Sequence, residues 1–409
     1  MNRVVITGLG AVTPVGNDIS SMWNSLVAGR HGMGPITRFD SAAFKTKVAA
    51  EVKGFDPLGY MEKSEARKSD LYTQFAVAAA CQAMGDSRLG NTVSPGRLGV
   101  YFGSGTGGMT TFCQEHEKLL AAGPRRVSPF FIPMMISNIA AGVIAIRFNA
   151  KGPCLSVVTA CATGSTAVGE AFRAVRHGYA DAVIAGGSEA SIVPLAVAGF
   201  ANMTALSAAD DPDAASLPFD RRCGGFVMGE GAGALILEEY EHAKNRGARI
   251  YAEVAGYGST CDAHHITAPD PAAGSSARAI GDALCQAGPP EGGMIYVNAH
   301  GTGTPLNDVS ETVAIKKAMG DHIGRTLISS TKSMTGHMLG AAGAVEAAVA
   351  VLALQEGILP PTAGLREPDP ECDLDYIPLT ARAADVGLAL SVSLGFGGHN
   401  ACLAFRKGV

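Results

Sequence analysis

Leu155-Ser-Val-Val-Thr-Ala-Cys-Ala-Thr-Gly164 is the stretch of this chain that decides its fold. A short β-branched run leads into a turn of small residues, and an apolar helical pattern follows as far as Gly178. The same succession recurs at Leu327-Ile-Ser-Ser-Thr-Lys-Ser-Met-Thr-Gly336, before a helical pattern that ends at Gly357. A repeat of strand, tight turn and long helix predicts two similar halves. Chance agreement of glycine-rich turns is the competing explanation.

Two further patterns support an α/β protein. Tyr101-Phe-Gly-Ser-Gly-Thr-Gly-Gly108 parallels Val297-Asn-Ala-His-Gly-Thr-Gly-Thr304, each after a predicted strand. Glycine-bounded β-branched runs alternate with alanine-rich helical stretches throughout. The strands predicted in this way are Val4–Ile6, Leu98–Phe102, Leu155–Val158, Ala182–Ala185, Ile295–Asn298 and Leu327–Ser330.

The boundary between the halves is predicted from a change of pattern near the middle of the chain. A charged helix from Glu238 to Arg246 is followed by a new strand that begins at Ile250. The sequence therefore predicts one half in residues 1–250, which carries Cys161, and another in residues 251–409.

Composition limits the classes of function. The 409 residues are 47% hydrophobic and 17% charged, which is enough apolar sequence for a large buried core. A net charge of -5 argues against a nucleic-acid partner. Because Met1 leads almost directly into the strand at Val4, we predict no signal peptide and a cytoplasmic protein. The apolar stretch Ala341–Leu354 is short and contains Glu346, so it predicts a core helix and no membrane partner.

The nine cysteines form no CxxC pair and no metal-ligand spacing, so most are expected to be reduced core residues. Cys161 differs because it lies between a predicted strand and a predicted helix. Backbone N–H groups at a helix N-terminus favour a thiolate over a thiol and can hold an oxyanion. A small core residue is the plainer interpretation of any cysteine.

His300 and His337 also lie in predicted strand-end turns, His300 after the strand Ile295–Val297 and His337 within Lys332–Gly340. With ten histidines in the chain, a structural role is the ordinary expectation for each. Their position in turns equivalent to that of Cys161 favours a catalytic role for both histidines. A cysteine with two histidines can accept an acyl group and then stabilise an enolate or oxyanion.

Lys332 and Glu346 are ionisable residues in apolar surroundings and are expected to pair with one another. A structural ion pair and a pair that tunes the histidines are equally consistent with the sequence. Gly395-Phe-Gly-Gly398 is either a hairpin turn with a core Phe396 or a turn that approaches a ligand closely.

Together these segments resemble the β-ketoacyl-acyl-carrier-protein synthases, closest to the elongating synthase II type. The resemblance runs along essentially the whole chain. It is carried by the following motifs: Arg3–Gly10, Gly152-Pro153, Thr159-Ala-Cys161, Ala185-Gly-Gly187, Pro218-Phe-Asp220, Gly224–Gly231, Asn298–Thr304, Lys332–Gly340 and Gly395–Gly398.

The resemblance implies the thiolase fold, in which two duplicated α/β halves form a five-layered α-β-α-β-α sandwich, normally in a homodimer. It implies that Cys161 takes an acyl chain from acyl carrier protein, with the amides of Cys161 and Phe396 as oxyanion hole. His300 and His337 would assist the decarboxylation of malonyl-carrier protein, and the enolate would attack the thioester. The product would be a 3-oxoacyl chain two carbons longer, as in fatty-acid elongation.

Other roles are implied position by position. Phe396 resembles a gate for malonyl, and Lys332 with Glu346 resembles a supporting pair. Thr106 replaces a bulkier apolar residue that is common in synthase II, which bears on chain length. The remaining implied contacts are Thr267, Thr302 and Thr304 for the pantetheine arm, Thr106, Phe131 and Phe200 for the acyl pocket, Arg67, Lys68, Arg125 and Arg126 for carrier-protein docking, and Asn298, Glu346 and Ser391 as a monovalent-cation site. No redox or nucleotide cofactor is implied, since the substrates travel on phosphopantetheine.

Four alternatives stay open at this stage. Thiolase would need a second reactive cysteine near Gly395–Gly398, where this chain has histidine and asparagine. The initiating synthase III type would have asparagine where this chain has His337. A non-catalytic chain-length factor would lack Cys161, whereas an active ketosynthase of a specialised type II polyketide or polyene pathway would share every chemical motif.

Overall fold

A computed structural model describes residues 1–290 and 292–408. Most of its strands belong to one large sheet, and two short pairs lie apart from it. The strands are β1 (Val4–Val12), β2 (Gly34–Pro35), β3 (Val48–Ala49), β4 (Leu98–Gly103), β5 (Cys154–Leu155), β6 (Ala182–Glu189), β7 (Gly231–Glu239), β8 (Ala252–Cys261), β9 (Met294–Asn298), β10 (Thr326–Ser329), β11 (Ile358–Leu359), β12 (Arg382–Ala383), β13 (Val386–Gly395) and β14 (His399–Lys407).

The helices lie between these strands and cover both faces of the sheet. They are α1 (Ile19–Val27), α2 (Lys63–Ala66), α3 (Leu71–Ser87), α4 (Met109–Ala122), α5 (Phe131–Met135), α6 (Ile139–Arg147), α7 (Thr163–Arg176), α8 (Pro194–Asn202), α9 (Tyr240–Asn245), α10 (Gly274–Ala287), α11 (Pro305–Met319), α12 (Lys332–Thr335) and α13 (Ala342–Glu356).

The large sheet consists of two five-stranded halves with the same strand order. The first is β5-β4-β6-β7-β1 and the second is β10-β9-β13-β14-β8. They meet where β1 pairs with β8, at Val5 with Glu253 and Ile6 with Ala252. Each half mixes parallel pairs with antiparallel ones. The predicted duplication is therefore present in the topology itself.

Three helical layers enclose the two half-sheets. Helices α3 and α6 pack on the outer face of the first half, and α10, with α11 against it, covers the second. Helices α7 and α13 lie between the halves and contact strands of both. The order helix, sheet, helix, sheet, helix confirms the predicted five-layered sandwich. Apart from Glu346 at its centre, α13 is built almost entirely of buried apolar residues, which confirms that Ala341–Leu354 belongs to a core helix.

Leu339–Glu356 is long and apolar enough to cross a membrane, and 89% of it is buried inside the protein. It is packed between the half-sheets as a core segment.

The alignment of the two repeats that the sequence predicts is wrong, because it pairs the turn at Cys161 with the short helix α12. The turn at Cys161 is a 3-10 turn, Ala160–Ala162, that begins with a positive φ of 48° and leads into α7. Its counterpart is Leu339–Ala341, which begins with a φ of 46° and leads into α13. Because α12 and His337 are inserted before that second turn, Gly340 is the residue equivalent to Cys161, and Ser333 is not.

Several predicted element bounds also need correction. The strand predicted over Leu155–Val158 is reduced to β5, because the chain beyond Leu155 leaves the sheet. Glu238 and Glu239 end strand β7, and the charged helix begins only at Tyr240. The following strand begins at Ala252, so the predicted boundary at 250 and 251 lies in the link between α9 and β8.

Candidate active site

Cys161 lies in the turn before α7, which is shaped by one backbone conformation and two hydrogen bonds. The left-handed conformation of Ala160 reverses the chain. The Ala162 amide donates to the Thr159 carbonyl oxygen at 3.0 Å, and the Thr159 amide donates to the Thr163 hydroxyl at 2.9 Å. The thiol is buried, with 8% of the residue exposed, at the wall of a cavity of about 600 Å³.

The hairpin between β13 and β14 packs directly on this turn. A Cβ added at Gly395 would lie 2.7 Å from the Thr159 carbonyl oxygen and 3.3 Å from the Cys161 nitrogen, so only glycine fits. Gly395 pairs with His399 across the hairpin, and half-buried Phe396 is at its tip. The backbone amides of Cys161 and Phe396 both act to lower the pKa of the Cys161 thiol.

At Cys161 burial outweighs the effect of the helix N-terminus that the sequence predicts to favour a thiolate. Burial raises the pKa of this thiol to about 12. Lys332 and the two amides lower the pKa and Glu189 raises it, but desolvation is the largest effect. The nucleophile is therefore a neutral thiol at pH 7, and acyl transfer requires removal of its proton.

His300 is held by two carboxylates of the helix that follows it. Glu311 accepts hydrogen bonds from the amides of His300 and Gly301, both at 2.7 Å. Asp308 accepts from the Phe219 amide at 2.8 Å and so ties the loop to the neighbouring segment. Burial raises the pKa of Glu311 to about 7 and that of Asp308 to about 6.

His337 is held by backbone pairing. Its amide donates to the Val227 carbonyl oxygen at 2.7 Å, and the Gly229 amide donates to the His337 carbonyl oxygen at 2.8 Å. The rings of His300 and His337 are 5.2 Å apart between centroids and nearly perpendicular. Phe226 packs edge-on against the His337 ring at 5.1 Å.

Both imidazoles are buried and neutral. Burial, with Lys332 as a nearby positive charge, holds the pKa of His300 and of His337 well below the ordinary value of 6.5. The Nδ1 atoms of both rings have no hydrogen-bond partner among the residues that the structure describes. A neutral imidazole presents one N–H donor and one acceptor nitrogen, which suits it to stabilise an oxyanion or to take up a proton.

Lys332 and Glu346 form the predicted pair. The Lys332 Nζ lies 2.5 Å from Glu346 Oε1, and both side chains are 1% exposed. Burial raises the pKa of Glu346, and Lys332 opposes that rise. Within the described ranges, the second oxygen, Glu346 Oε2, has no hydrogen-bond partner, and the same holds for Asn298 Oδ1 and Ser391 Oγ.

The cavity brings together most of the predicted substrate contacts. Thr302 and Thr304, whose hydroxyls are 2.9 Å apart, line it with Thr267, Phe200 and Phe396. Thr106 and Phe131 do not line it: Thr106 is exposed, and its hydroxyl bonds to Glu189 and Ser191, while half-buried Phe131 lies on α5. The full lining of the catalytic end is Cys161, Phe200, Phe226, His300, Thr302, His337, Leu394, Gly395 and Phe396.

The four predicted docking residues are exposed at the ends of two short helical segments. Arg67 follows α2, and Arg125 and Arg126 end the 3-10 turn Pro124–Arg126. The Lys68 Nζ lies 4.9 Å from the centre of the Phe130 ring, in the segment that follows Arg126. None of the four is in an ion pair with the part of the chain that the structure describes.

Sequence reasoning missed Glu189, Asp308 and Glu311. Asp308 and Glu311 follow His300 by eight and eleven residues and are one helical turn apart on α11. Two carboxylates at that spacing share one face of a helix, which the sequence alone could have shown. Glu189 gave no such signal, because its partners come from distant parts of the chain.

Two family models match the chain. The model described as "Beta-ketoacyl synthase, N-terminal domain" matches residues 1–243, and the one described as "Beta-ketoacyl synthase, C-terminal domain" matches residues 251–366. The chain belongs to the β-ketoacyl synthase family. It therefore has the thiolase-type fold that the sequence predicted, and it is an acyltransferase by family.

Relatives within this family align over nearly their whole length. A 3-oxoacyl-[acyl-carrier-protein] synthase 2 of Synechocystis is 53% identical over 407 residues, which is 99% of this chain and 98% of the relative. The enzyme of the same name from Coxiella burnetii is 49% identical with the same coverage.

Solved ketosynthase structures superpose on the complete chain. The ishigamide ketosynthase/chain length factor has a TM-score of 0.92 and 38% identity. A type II polyketide acyl-carrier protein in complex with its ketosynthase, bound to the hexaketide, has a TM-score of 0.90 and 34% identity. Both matches cover 100% of each chain.

Proposed function

We propose that Cys161, His300 and His337 carry out a decarboxylative condensation in fatty-acid chain elongation. An acyl chain from acyl-carrier protein and malonyl-carrier protein give 3-oxoacyl-carrier protein and CO2. The observation that carries this proposal is one cavity with a thiol, two neutral imidazoles and a pair of convergent backbone amides. Near 50% identity to enzymes named 3-oxoacyl-[acyl-carrier-protein] synthase 2 supports it.

In the first step the Cys161 sulfur attacks the thioester carbonyl of the acyl-carrier protein. The sulfur–carbon bond to Cys161 forms, the bond to pantetheine breaks, and the Cys161 proton reaches the departing pantetheine thiolate. A neutral imidazole of the pair can relay that proton. The amides of Cys161 and Phe396 stabilise the negative oxygen of the tetrahedral intermediate.

The duplicated turn supports this oxyanion role. Gly340 is equivalent to Cys161, and its amide donates to a carboxylate oxygen, Glu189 Oε2, at 3.0 Å. The amide at this position of the turn therefore faces an anionic oxygen in the second half. By analogy, the Cys161 amide in the first half is suited to the thioester oxygen.

In the second step malonyl-carrier protein occupies the same cavity. The carbon–carbon bond to the carboxylate breaks, CO2 leaves, and the electron pair forms an enolate. Neutral His300 and His337 donate hydrogen bonds to the enolate oxygen, and these hydrogen bonds strengthen as negative charge develops on that oxygen. The enolate carbon then attacks the Cys161 thioester and releases the Cys161 thiolate, which takes up a proton from solvent through a neutral imidazole of the pair.

The remaining polar groups support these steps. Burial and the nearby charge of Lys332 keep both imidazoles neutral, and Glu346 holds Lys332 in place. Thr267, Thr302 and Thr304 line the entrance and bind the pantetheine arm. Phe200 packs 6.4 Å from Phe396 between ring centres, so a movement of Phe396 would open the cavity towards the acyl pocket.

We assign the acyl carrier protein as the partner that docks on Arg67, Lys68, Arg125 and Arg126. These exposed, uncompensated cations suit an acidic carrier and steer its approach. Reversing two charges in Arg67→Glu with Arg125→Glu should weaken carrier binding about 10- to 100-fold at low salt. The loss should shrink in 0.5 M NaCl. Unchanged affinity in surface plasmon resonance would remove this surface from the account.

A second copy of the chain is the partner proposed for the edge of the sheet at β5. Both residues of β5 are exposed, and an unpaired strand edge favours another strand. Large apolar side chains are exposed on β5, on the chain after it, and on α5 and α6, of which α6 contacts β5. Leu155 is 50% exposed, Val158 51%, Ile132 54% and Ile146 82%. A two-fold homodimer would cover this face, and it would enclose Thr106 and Phe131, our predicted distal wall of the acyl pocket.

Val158→Asp tests the homodimer. It should convert a dimer into a monomer in analytical ultracentrifugation, because a carboxylate would be buried at the centre of the interface. Tyr179→Asp, at another exposed large side chain, is the control that should remain dimeric. A wild-type chain that sediments as a monomer at micromolar concentration would overturn the proposal.

A monovalent cation fits the site at Asn298, Glu346 and Ser391. Asn298 and Ser391 are partners across the β9–β13 pair, and the unpartnered oxygens of all three residues are buried. Oxygen ligands of this kind suit a hard cation. Potassium or sodium chloride should raise the unfolding temperature of the wild type above its value in choline chloride. Ser391→Ala should reduce that difference.

An active ketosynthase of a specialised polyketide pathway is the second candidate, favoured by the polyketide systems among the structural relatives. Product analysis separates it from fatty-acid elongation. The purified protein, given saturated acyl-carrier proteins of increasing length and malonyl-carrier protein, should form one 3-oxoacyl product per chain. Absence of condensation with every saturated chain would reject the elongation function. We also propose that the protein acts in the cytoplasm.

A further inference from the structure

Glu189 ends strand β6 and is fully buried. No lysine, arginine or histidine within residues 1–290 and 292–408 forms an ion pair with it. Burial raises its pKa. An unpaired buried charge is costly, so its retention calls for a compensating arrangement.

That arrangement consists entirely of hydrogen-bond donors from three segments. Glu189 Oε2 accepts from the Gly105 amide at 2.9 Å and from the Gly340 amide at 3.0 Å. Glu189 Oε1 accepts from the Thr106 hydroxyl at 2.7 Å and from the hydroxyls of Ser104 and Ser191, both at 3.0 Å. Backbone amides cannot accept a proton, so the two bonds to Oε2 favour the ionised carboxylate.

These segments converge beside Cys161. A Cβ added at Gly105 would lie 2.7 Å from Glu189 Oε2 and 3.6 Å from the carbonyl oxygen of Ala160, the residue before Cys161. A Cβ added at Gly340 would lie 2.4 Å from the Gly105 nitrogen. The backbone is therefore packed around one carboxylate at the junction of the two halves, directly behind the nucleophile turn.

We propose that Glu189 is a positioning residue of the condensation, which holds the loop at Gly105 and Thr106 and the turn at Gly340 in register beneath Cys161. The inference rests on the proposed function and extends it to a residue that does not touch substrate. The loop carries Thr106, the predicted wall of the acyl pocket, and the turn follows His337. One carboxylate thus couples the nucleophile half to the half that carries the histidines.

The test compares Glu189 with Glu238, a carboxylate on the adjacent strand β7. Glu238 is also 0% exposed, but it lies at the opposite end of the sheet, where Thr7 and Arg246 donate to it. Glu238→Gln is therefore the matched control for losing a buried charge. It should lower the unfolding temperature and leave both kcat and the reactivity of Cys161 unchanged.

Glu189→Gln should change both catalytic readouts. The Gln oxygen can still accept from the Gly105 and Gly340 amides, which share Oε2 in the wild type. Its NH2 group would then replace the acceptor Oε1 and face the Thr106 amide and the hydroxyls of Ser104, Thr106 and Ser191. We therefore expect kcat to fall at least about tenfold with a smaller change in KM. Alkylation of Cys161 by iodoacetamide at pH 8 should become about three- to tenfold faster. A buried negative charge near the thiol is removed, and the thiolate fraction rises tenfold for each unit by which the pKa falls.

Glu189→Asp tests the effect of side-chain length separately from that of the negative charge. The charge remains, so the alkylation rate should stay within about twofold of wild type. The shorter side chain cannot span Gly105 and Gly340 together, so kcat should still fall. If Glu189→Gln does not fold, Glu189→Asp is compared with Glu238→Asp in the same assays.

Effects on kcat and alkylation equal to those of the Glu238 variants would overturn the positioning role. The alkylation readout needs no condensation. A wild type that alkylates normally but never condenses would therefore reject the proposed function and not this inference.

Discussion

The turn Ala160–Ala162 in the first half and the turn Leu339–Ala341 in the second have the same backbone conformation and opposite uses. Each begins with a non-glycine residue in the left-handed region and starts a helix that lies between the half-sheets. The first presents Cys161 to the cavity. The second places Gly340 against Gly105 and gives its amide to Glu189.

The helices that follow pack symmetrically about the junction. A Cβ added at Gly164 would meet the Ala344 nitrogen at 2.5 Å, and one added at Gly343 would meet the Ser165 nitrogen at 2.6 Å. The duplication therefore supplies one anion-binding turn twice. The difference shows that accessibility determines the role of the turn. The turn at Cys161 opens to the cavity and can bind substrate, whereas the turn at Gly340 is enclosed and binds the Glu189 carboxylate.

The largest expected effect comes from removing the group that distinguishes the turns. Cys161→Ala should lower acyl transfer and condensation at least about 10³-fold, because no other nucleophile lies in the same turn. The unfolding temperature should change little, since the replacement is small and close in volume. Radiolabelled acyl transfer measures the first effect. A variant with full condensation would refute the assigned nucleophile.

The second effect tests the enclosed turn. Gly340→Ala should lower the free energy of unfolding by about 1–3 kcal/mol, because its Cβ would overlap the Gly105 nitrogen. Gly281→Ala on α10 is the control, since its Cβ would meet no atom within 4 Å. That change should be neutral or stabilise the protein by about 0.5–1 kcal/mol. Urea unfolding of both variants gives the comparison, and equal stabilities would mean that position 340 is not enclosed.

The third and smallest effect concerns the histidines that lie in the second half. Their pKa values are held well below 6.5 in the folded state, so the unfolded chain binds more protons below pH 6.5. Stability from each neutral ring is therefore present above pH 6.5 and lost as the pH falls. Between pH 6.5 and 5.5 the wild type should lose about 1 kcal/mol more than His300→Gln. Parallel losses would contradict a buried neutral His300.

Much of this site could be predicted from the sequence, because Cys161, His300 and His337 lie in turns next to recognisable strands and helices. The halves were predictable for the same reason, but the register of the repeat was not. The α12 insertion ends in Thr335-Gly336, the same pair as Thr163-Gly164 after Cys161, so the sequence aligns the wrong turn with Cys161. Glu189 was not predictable, since its partners at Gly105 and Gly340 become neighbours only when the halves pack together.

The surroundings of Thr106 and Phe131 could also not be predicted from the sequence. Both lie outside the cavity of the single chain, and Thr106 directs its hydroxyl to Glu189. In the homodimer proposed above a second copy would complete this wall of the acyl pocket, and contacts between two copies cannot be derived from local pattern. The same physical reason explains why chain-length preference does not follow from the motifs around Cys161.

Intact-protein mass spectrometry tests the central claim most directly. The purified protein is mixed with acyl-carrier protein in the absence of malonyl-carrier protein, and the adduct is located by peptide mapping. The account predicts one acyl group per chain on Cys161, which disappears when malonyl-carrier protein is added. An adduct on another residue, or no adduct from any acyl-carrier protein, would contradict it.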